Sequence, residues 1–155
     1  MKALSPSLVN YLIEQGADLF MKDNKGLSAL DVAISVNDDT LIEFLISKGV
    51  EFMPKSVHLA VRYLNLEVLK MLLNAGGDIK YVDPISGISV LHEAARAKTR
   101  EKSCVNRKRI AILNFIFRMF PEGVNLADQN GKTPLHYTVV YPIWDKEETI
   151  EFMVK

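Results

Sequence analysis

Pairs of bulky apolar residues followed by a glycine recur along the chain. In each of four segments the apolar pair is followed by two spacer residues and then Gly, after which come a small or branched residue and an acid or amide. A helix that ends on a glycine in the left-handed conformation explains this pattern. The sequence therefore predicts four helix ends, in segments 12–16, 45–49, 72–76 and 119–123, which end on Gly16, Gly49, Gly76 and Gly123.

A second pattern marks helix beginnings, in segments 30–33, 57–60, 91–94 and 135–138. Three of these follow a Gly-x-Ser/Thr phrase, which makes Ser28, Ser89 and Thr133 candidate N-caps. Pro134 suits a first helical position, where its missing N–H costs nothing. Each segment ends on a small residue where a neighbouring helix can come close: Ala33, Ala60, Ala94 and Thr138.

The two patterns alternate, so each unit is predicted to be a tight turn, a first helix, a second helix and a glycine stop. The second helices carry a wide apolar stripe, as the spacing of Leu66, Leu69, Leu72 and Leu73 illustrates. One helical pair is too thin to bury such a stripe, whereas stacked pairs form a continuous core. The sequence therefore predicts an all-helical stack.

The phrase at positions 128–136, Asp-Gln-Asn-Gly-Lys-Thr-Pro-Leu-His, resembles the turn and helix opening of the ankyrin repeat family. The resemblance implies an all-α solenoid of stacked helix-turn-helix units with short β-hairpin turns. It extends over nearly the whole chain, as a single domain at 1–155. The units expected are a partial unit with only its second helix at 4–16, a unit at 17–49, a short unit lacking its hairpin at 50–76, a unit with a basic insertion (98–109) at 77–123, and a terminal unit at 124–155.

The repeat length varies along the chain. Gly16 and Gly49 are 33 residues apart, which is the family period, whereas the next two intervals are 27 and 47 residues. The short interval loses its turn between Gly49 and Val57, where Pro54 stands. The missing turn leaves either a notch that admits a side chain of a partner or simple degeneracy, and the tolerance of loops to length changes favours degeneracy.

The long interval holds the strongest local charge in the sequence. Seven bases and one acid lie between Arg96 and Arg109. One interpretation is a solvated extension that keeps a long apolar helix soluble, and this is the favoured one. The other is a site for an acidic peptide, a phosphate or nucleic acid. The candidate basic patch consists of Lys98, Arg100, Lys102, Arg107, Lys108 and Arg109.

Composition narrows the function classes. The 155 residues include 19 Lys plus Arg and 19 Asp plus Glu, so a wholesale nucleic-acid or membrane-surface binder is not expected. No apolar stretch reaches the ~18 residues of a membrane span. The single cysteine, Cys104, excludes an intramolecular disulfide and a cysteine-built zinc site. It fits a reducing compartment, so we expect an intracellular, cytoplasmic protein, with a nuclear location as the alternative.

No catalytic signature is present, and we expect no enzymatic activity, no cofactor and no metal site. His58, His92 and His136 follow the first apolar residue of successive first helices. The resemblance implies structural histidines that bond within the turn and to neighbouring backbone. Asp31 takes this position in the second unit, and we expect it to weaken the hydrogen-bond network there.

The resemblance implies a non-catalytic protein-interaction module that binds a partner protein on a concave face of hairpin tips and first helices. Binding of an anion, a nucleic acid or an acidic peptide through the basic segment 96–109 is one alternative. A targeting or regulatory appendage of a larger multidomain protein is the other. Because both end units look incomplete, self-association through the ends is a further expectation. The candidate partner-binding residues are Leu27, Val36, Arg62, Tyr63, Ile88, Arg96, Lys132 and Tyr141.

Overall fold

A computed structural model of the chain describes residues 6–97 and 105–140. In these ranges eight α-helices and one 3-10 helix follow one another, joined by short turns. They are α1 (Pro6–Glu14), α2 (Ala29–Val36), α3 (Asp39–Ser47), α4 (Pro54–Arg62), α5 (Leu66–Asn74), α6 (Val90–Arg96), α7 (Val105–Met119), the 3-10 helix (Pro121–Asn125) and α8 (Pro134–Val140).

The helices form two layers with contacts between neighbours in the stack. Helices α2 and α3, α4 and α5, and α6 and α7 pack as antiparallel pairs. The first helices α2, α4, α6 and α8 pack side by side in one layer, and the second helices α1, α3, α5 and α7 pack side by side in the other. The predicted all-helical solenoid of stacked pairs is confirmed.

The core lies between the two layers and extends from α2 to α7. Its buried side chains include Leu30, Ile42, Leu69, Leu91 and Ile116. Each fully buried side chain of this size contributes about 1.5–3 kcal/mol. Ala33, Ala60 and Ala94 are also buried, at equivalent positions of successive first helices, where their small size allows those helices to approach one another.

Short hairpin turns precede three of the first helices. Antiparallel bridges join Lys22 to Ser28 and Val82 to Ser89. A third turn is closed by a hydrogen bond from the Asp128 N–H to the Lys132 carbonyl, at 2.9 Å. Between Val50 and α4 the chain enters the helix directly, with Pro54 at its first position. Helix α4 therefore begins before the predicted segment 57–60, because Pro54 is already set for a helical backbone.

Three of the four predicted glycine stops have the expected geometry. Gly16, Gly49 and Gly76 have φ values of 94°, 73° and 96°. The fourth prediction is wrong, since α7 ends at Met119 and Gly123 lies within the 3-10 helix. A Cβ on Gly123 would lie 2.5 Å from the Phe120 ring. The glycine is therefore required by the close approach of this ring.

Candidate functional site

The layer of first helices exposes one continuous surface. We use the term first-helix surface for the exposed side of α2, α4, α6 and α8, with Tyr63 directly after α4, together with the turns at 22–28, 82–89 and 127–133. Because the first helices lie side by side, equivalent positions form rows across them. Arg62 of α4 and Arg96 of α6 share one row, and the exposed residues Val36 and Tyr63 share the next.

Arg62 and Arg96 converge on one carboxylate. The Nε of each arginine lies 3.0 Å from Glu93 Oε2, and the Nη2 atoms lie 2.7 Å and 2.8 Å from Oε1. Each guanidinium thus makes a two-pronged contact, the strongest form of charge-assisted hydrogen bond. Glu93 is only 2% exposed, whereas the side chains of Arg62 and Arg96 are 43% and 30% exposed. We call these three residues the Arg–Glu–Arg cluster.

Electrostatics keeps the cluster charged. Burial alone would raise the pKa of Glu93, but the hydrogen bonds from Arg62 and Arg96 outweigh it, and its pKa is lowered. The hydrogen bond to Glu93 raises the pKa of Arg62. Two guanidiniums and one carboxylate therefore carry a net charge of +1 at neutral pH. The sequence pattern assigns the arginines to partner binding but does not identify Glu93, although its position three residues before Arg96 on α6 suggests an ion pair.

The aspartates of the turns are held by their own backbone. Asp23 accepts N–H groups of Lys25 and Leu27, each at 2.8 Å. Asp83 likewise accepts the N–H groups of Ile85 and Ser86, at 2.8 Å and 3.1 Å. Such bonds stabilise the ionised form, and the pKa values of both Asp23 and Asp83 are lowered, the backbone hydrogen bonds being the largest cause.

Asp128 is held in the same way and gains one further bond. The Tyr137 hydroxyl donates to it at 2.6 Å, and the Asn130 and Lys132 N–H groups donate at 2.8 Å each. The Tyr137 bond and these backbone bonds lower its pKa to about 2. The negative charge of all three turns is thus engaged in holding their own geometry.

The predicted binding residues of the turns differ in exposure. Lys132 is exposed and Leu27 is partly exposed. Ile88 is only 5% exposed, so its assignment to the binding residues is wrong. The following turn packs tightly at this point, since a Cβ on Gly87 would lie 2.8 Å from the Gln129 nitrogen. Ile85, at the tip of the same turn, is exposed instead.

Two of the histidines link one unit to the next. His58 Nε2 lies 3.0 Å from the Tyr81 carbonyl, and His92 Nε2 lies 2.9 Å from the Lys132 carbonyl. Nδ1 of His92 accepts the Ser89 N–H at 3.1 Å, so the neutral ring carries its proton on Nε2 and donates it to Lys132. Burial lowers the pKa of both His58 and His92.

His136 makes the local bond within its own turn. Its Nδ1 accepts the Thr133 N–H at 3.1 Å, and the Thr133 hydroxyl lies 2.8 Å away. In the part of the chain that the structure describes, no group of three or more His, Cys, Asp or Glu side chains could hold a metal ion.

Asp31 keeps the network that a histidine supports elsewhere. Its Oδ2 accepts the Ser28 N–H at 3.0 Å, and its Oδ1 accepts the Ser56 hydroxyl of the next unit at 2.5 Å. The expectation that Asp31 weakens this network is therefore wrong. A carboxylate has acceptors for both bonds, and Ser56 supplies the donor that the next unit needs.

The basic segment is split by the packing of α7. Arg107 and Lys108 are exposed, as predicted for a basic patch, but Arg109 is 2% exposed and does not belong to it. Arg109 lies on the same helix face as the buried Leu113 and Ile116, one and two turns further on. Lys98, Arg100, Lys102 and the partner-binding candidate Tyr141 lie outside the described residues.

Arg109 is an unusual buried cation. Its Nη2 donates to the Ala97 carbonyl at the end of α6, whereas Nε and Nη1 have no hydrogen-bond partner among residues 6–97 and 105–140. Burial lowers the pKa of its guanidinium to about 10. A buried charge with two unsatisfied donor groups destabilises the fold.

A cleft of about 420 Å³ opens where the N-termini of α3, α5 and α7 meet. It brings Arg107 and Lys108 together with Tyr63, which the sequence pattern places in a different site. Asp39 and Glu67 also line the cleft, so its charge is mixed. This arrangement does not select an anion.

The α1 end of the stack exposes apolar side chains. Leu8 and Leu12 are 53% and 50% exposed, whereas the equivalent residues of α3, Leu41 and Leu45, are 6% and 1% exposed. Helix α3 packs against α2, whereas among the described residues α1 packs mainly against α3. No helix among the described residues combines the length and apolar character needed to cross a bilayer.

Comparison with known proteins identifies a family whose model matches the chain. A family model described as ankyrin repeats, in three copies, matches residues 57–155. The chain is 25% identical over 138 residues to the nuclear factor NF-kappa-B p105 subunit of Gallus gallus, covering 83% of this chain and 13% of that protein. It is 24% identical over 144 residues to a putative ankyrin repeat protein of Acanthamoeba polyphaga mimivirus, covering 86% of this chain and 20% of that protein. The chain thus spans a fifth or less of the length of these relatives.

Proposed function

Since the chain belongs to the ankyrin repeat family, we propose that it is a non-catalytic module that binds a partner protein on the first-helix surface. Ankyrin repeats are generally protein–protein interaction modules. The observation that carries the proposal is the clustering of Val36, Tyr63 and the Arg–Glu–Arg cluster on three adjacent first helices. Tyrosine and arginine are the residue types that dominate the energetics of protein interfaces.

The proposal retains most of the partner-binding residues that the sequence predicts. Val36, Arg62, Tyr63 and Arg96 form its centre, and Leu27, Lys132 and the exposed Ile85 add to it at the turns. Ile88 is left out because it is buried. Tyr141 remains a prediction from the sequence. We further propose an intracellular, cytoplasmic location, which fits the single cysteine.

The two alternative functions have less support. Arg109 is buried in the core and so does not contribute to anion binding through segment 96–109. Arg107 and Lys108 line a cleft that also contains two carboxylates. A role as an appendage of a larger protein is compatible with the small share of its relatives that the chain covers. That role also requires a binding surface, so it does not compete with the proposal. Self-association through the apolar α1 end would use Leu8 and Leu12, outside the first-helix surface.

A matched pair of tyrosine variants tests the proposal. Tyr63 and Tyr11 are both exposed, but only Tyr63 lies on the first-helix surface. In affinity capture from an extract of the source organism, quantified by mass spectrometry, a specific partner should be retained by wild type and by Tyr11→Ala but lost from Tyr63→Ala. Purified partner should then bind Tyr63→Ala more weakly by about 2 kcal/mol, or roughly thirtyfold. Partners that bind both variants equally would exclude this surface.

A further inference from the structure

The Arg–Glu–Arg cluster has a chemistry that goes beyond a general protein contact. Each guanidinium uses its Nε–H and one Nη2–H on Glu93, and the Nη1 group of each has no hydrogen-bond partner among the described residues. These two groups are solvent-accessible edges of partly exposed side chains. The carboxylate that holds them is almost completely covered. Among the described residues, a molecule that approaches this point therefore meets two guanidiniums and no accessible acid.

The cluster also fixes the position of both cations before any ligand arrives. An arginine side chain normally loses rotamer freedom when it is immobilised, and this loss opposes binding. Here that cost is met within the protein, because Glu93 holds each guanidinium at two points. Binding of an anion would then require little further loss of side-chain freedom in the arginines, which is the general advantage of a preorganised site.

Acids elsewhere on the first-helix surface are held by the chain itself. Each of its acids in the described residues accepts hydrogen bonds from the chain itself: Asp23, Asp31, Asp83, Glu93 and Asp128. By contrast, the ammonium groups of Lys25, Lys55 and Lys132 have no hydrogen-bond or ion-pair partner in this part of the structure. The charges of Lys25 and Lys55 nevertheless act on the exposed carboxylate of Asp23, so charge at that turn is mixed, and the fixed cations of this surface are Arg62 and Arg96.

From these observations we propose that the partner segment bound on the first-helix surface is acidic, and that one of its carboxylates is held by the outer edges of Arg62 and Arg96. The exposed Val36 and Tyr63 beside the cluster accept apolar side chains of the same segment. The occupant is therefore an Asp/Glu-containing protein segment with apolar anchors. This inference rests on the proposed function, and it specifies the chemistry of the partner.

Selection from a random peptide library tests the inference with an unbiased set of sequences. Wild-type protein is panned against a displayed library of 16-residue peptides, in parallel with the Arg62→Gln/Arg96→Gln double variant. A Lys48→Gln/Lys70→Gln variant, which removes two cations of the second-helix layer, is the control. Asp and Glu should be enriched in peptides selected by wild type and by the control, and this enrichment should disappear with the double variant. Circular dichroism establishes that each protein is folded.

The selected peptides then separate preorganisation from simple charge attraction. A labelled peptide should bind Arg62→Gln or Arg96→Gln about tenfold more weakly in fluorescence anisotropy, and replacing its acids by amides should have a similar effect. Glu93→Gln gives the sharper test. This substitution raises the net charge of the cluster from +1 to +2, yet it releases both guanidiniums, so we expect weaker binding. Tighter binding by Glu93→Gln would overturn the role assigned to Glu93.

The remaining outcomes distinguish this inference from the proposed function. Peptides without acid enrichment that still require Tyr63 would overturn the acidic partner while leaving the first-helix surface in place. Peptides that require neither Tyr63 nor the arginines would overturn both. A labelled 20-nucleotide single strand that binds wild type more tightly than the peptides, and that loses this affinity in the arginine double variant, would replace the acidic protein segment by nucleic acid.

Discussion

Replacing Arg109 with methionine should stabilise the protein, although it removes a charged residue from α7. The lowering of the Arg109 pKa to about 10 corresponds to about 3 kcal/mol of unfavourable charge burial. Because the lowered pKa is that of a cation, this cost is present in full at neutral pH and is relieved only as the pH rises through 10. Methionine fills a similar length with an apolar side chain and carries no such cost.

Part of the gain is offset by the bond that is lost. Arg109 donates to the Ala97 carbonyl at the end of α6, and a hydrogen bond to a charged group contributes about 1.5–3 kcal/mol. The balance is a stabilisation of about 1 kcal/mol, in line with buried charges that were replaced by hydrophobic residues in other proteins.

Urea denaturation followed by circular dichroism at pH 7 measures this difference through the transition midpoint. Arg118→Met is the matched control, since Arg118 is exposed on the same helix and should change the free energy of unfolding by less than about 0.5 kcal/mol. A loss of 1 kcal/mol or more in Arg109→Met, with the control unchanged, would refute the reasoning. It would mean that Arg109 has a counter-charge in the folded protein.

Three further predictions concern the turns and the core. Burial lowers the pKa of His92, so the free energy of unfolding should fall as the pH drops below about 6.5, where the unfolded histidine begins to bind a proton. Between pH 7.5 and 5.5 the melting temperature of His92→Asn should therefore change less than that of wild type. An equal change in both proteins would contradict this assignment. Gly87→Ala should destabilise by more than Gly26→Ala in urea titrations, because both have φ near 70° but only a Cβ at 87 meets backbone atoms of the next turn, at 2.8 Å; equal effects would show that the turns do not pack closely. Ala94→Asp places an unpaired charge at a fully buried contact and should cost several kcal/mol out of a total of ~5–15, enough to abolish the cooperative melt; a retained melt with unchanged midpoint would argue against the side-by-side packing of first helices.

Local signals in the sequence are sufficient for most of the helical architecture. Ser28 predicts the start of α2 because a serine before an apolar run can accept a free backbone N–H, and its hydroxyl does accept the Asp31 N–H at 3.2 Å. Gly16, Gly49 and Gly76 predict helix ends because only glycine adopts the left-handed conformation at little cost. These signals depend on neighbours within four residues, so one sequence is enough to read them.

The errors fall where distant residues decide the structure. Gly123 matches the pattern of a helix stop, but a Cβ there would meet the Phe120 ring and also the Leu91 side chain, 32 residues earlier, at 3.0 Å. Arg109 belongs to a run of bases that favours exposure, yet the apolar face of α7 places it in the core. The contact between Arg62 and Glu93 joins residues 31 positions apart, and it can be anticipated only after the first helices have been aligned side by side. Candidate residues at 98–104 and at 141 lie outside the described residues, and their roles remain predictions.

The nearest-neighbour packing of the helices determines how the protein comes apart. Helix α1 has no buried residue and packs mainly against α3, whereas α4 packs against α2, α5 and α6. Opening of α1 therefore breaks contacts on one side only, while opening of α4 requires its packing against three helices to break at once. Amide hydrogens should exchange with solvent fastest in α1 and slowest in the middle of the stack. The described helices should therefore behave as a short one-dimensional array in which α1 opens most readily and the central helices stay closed.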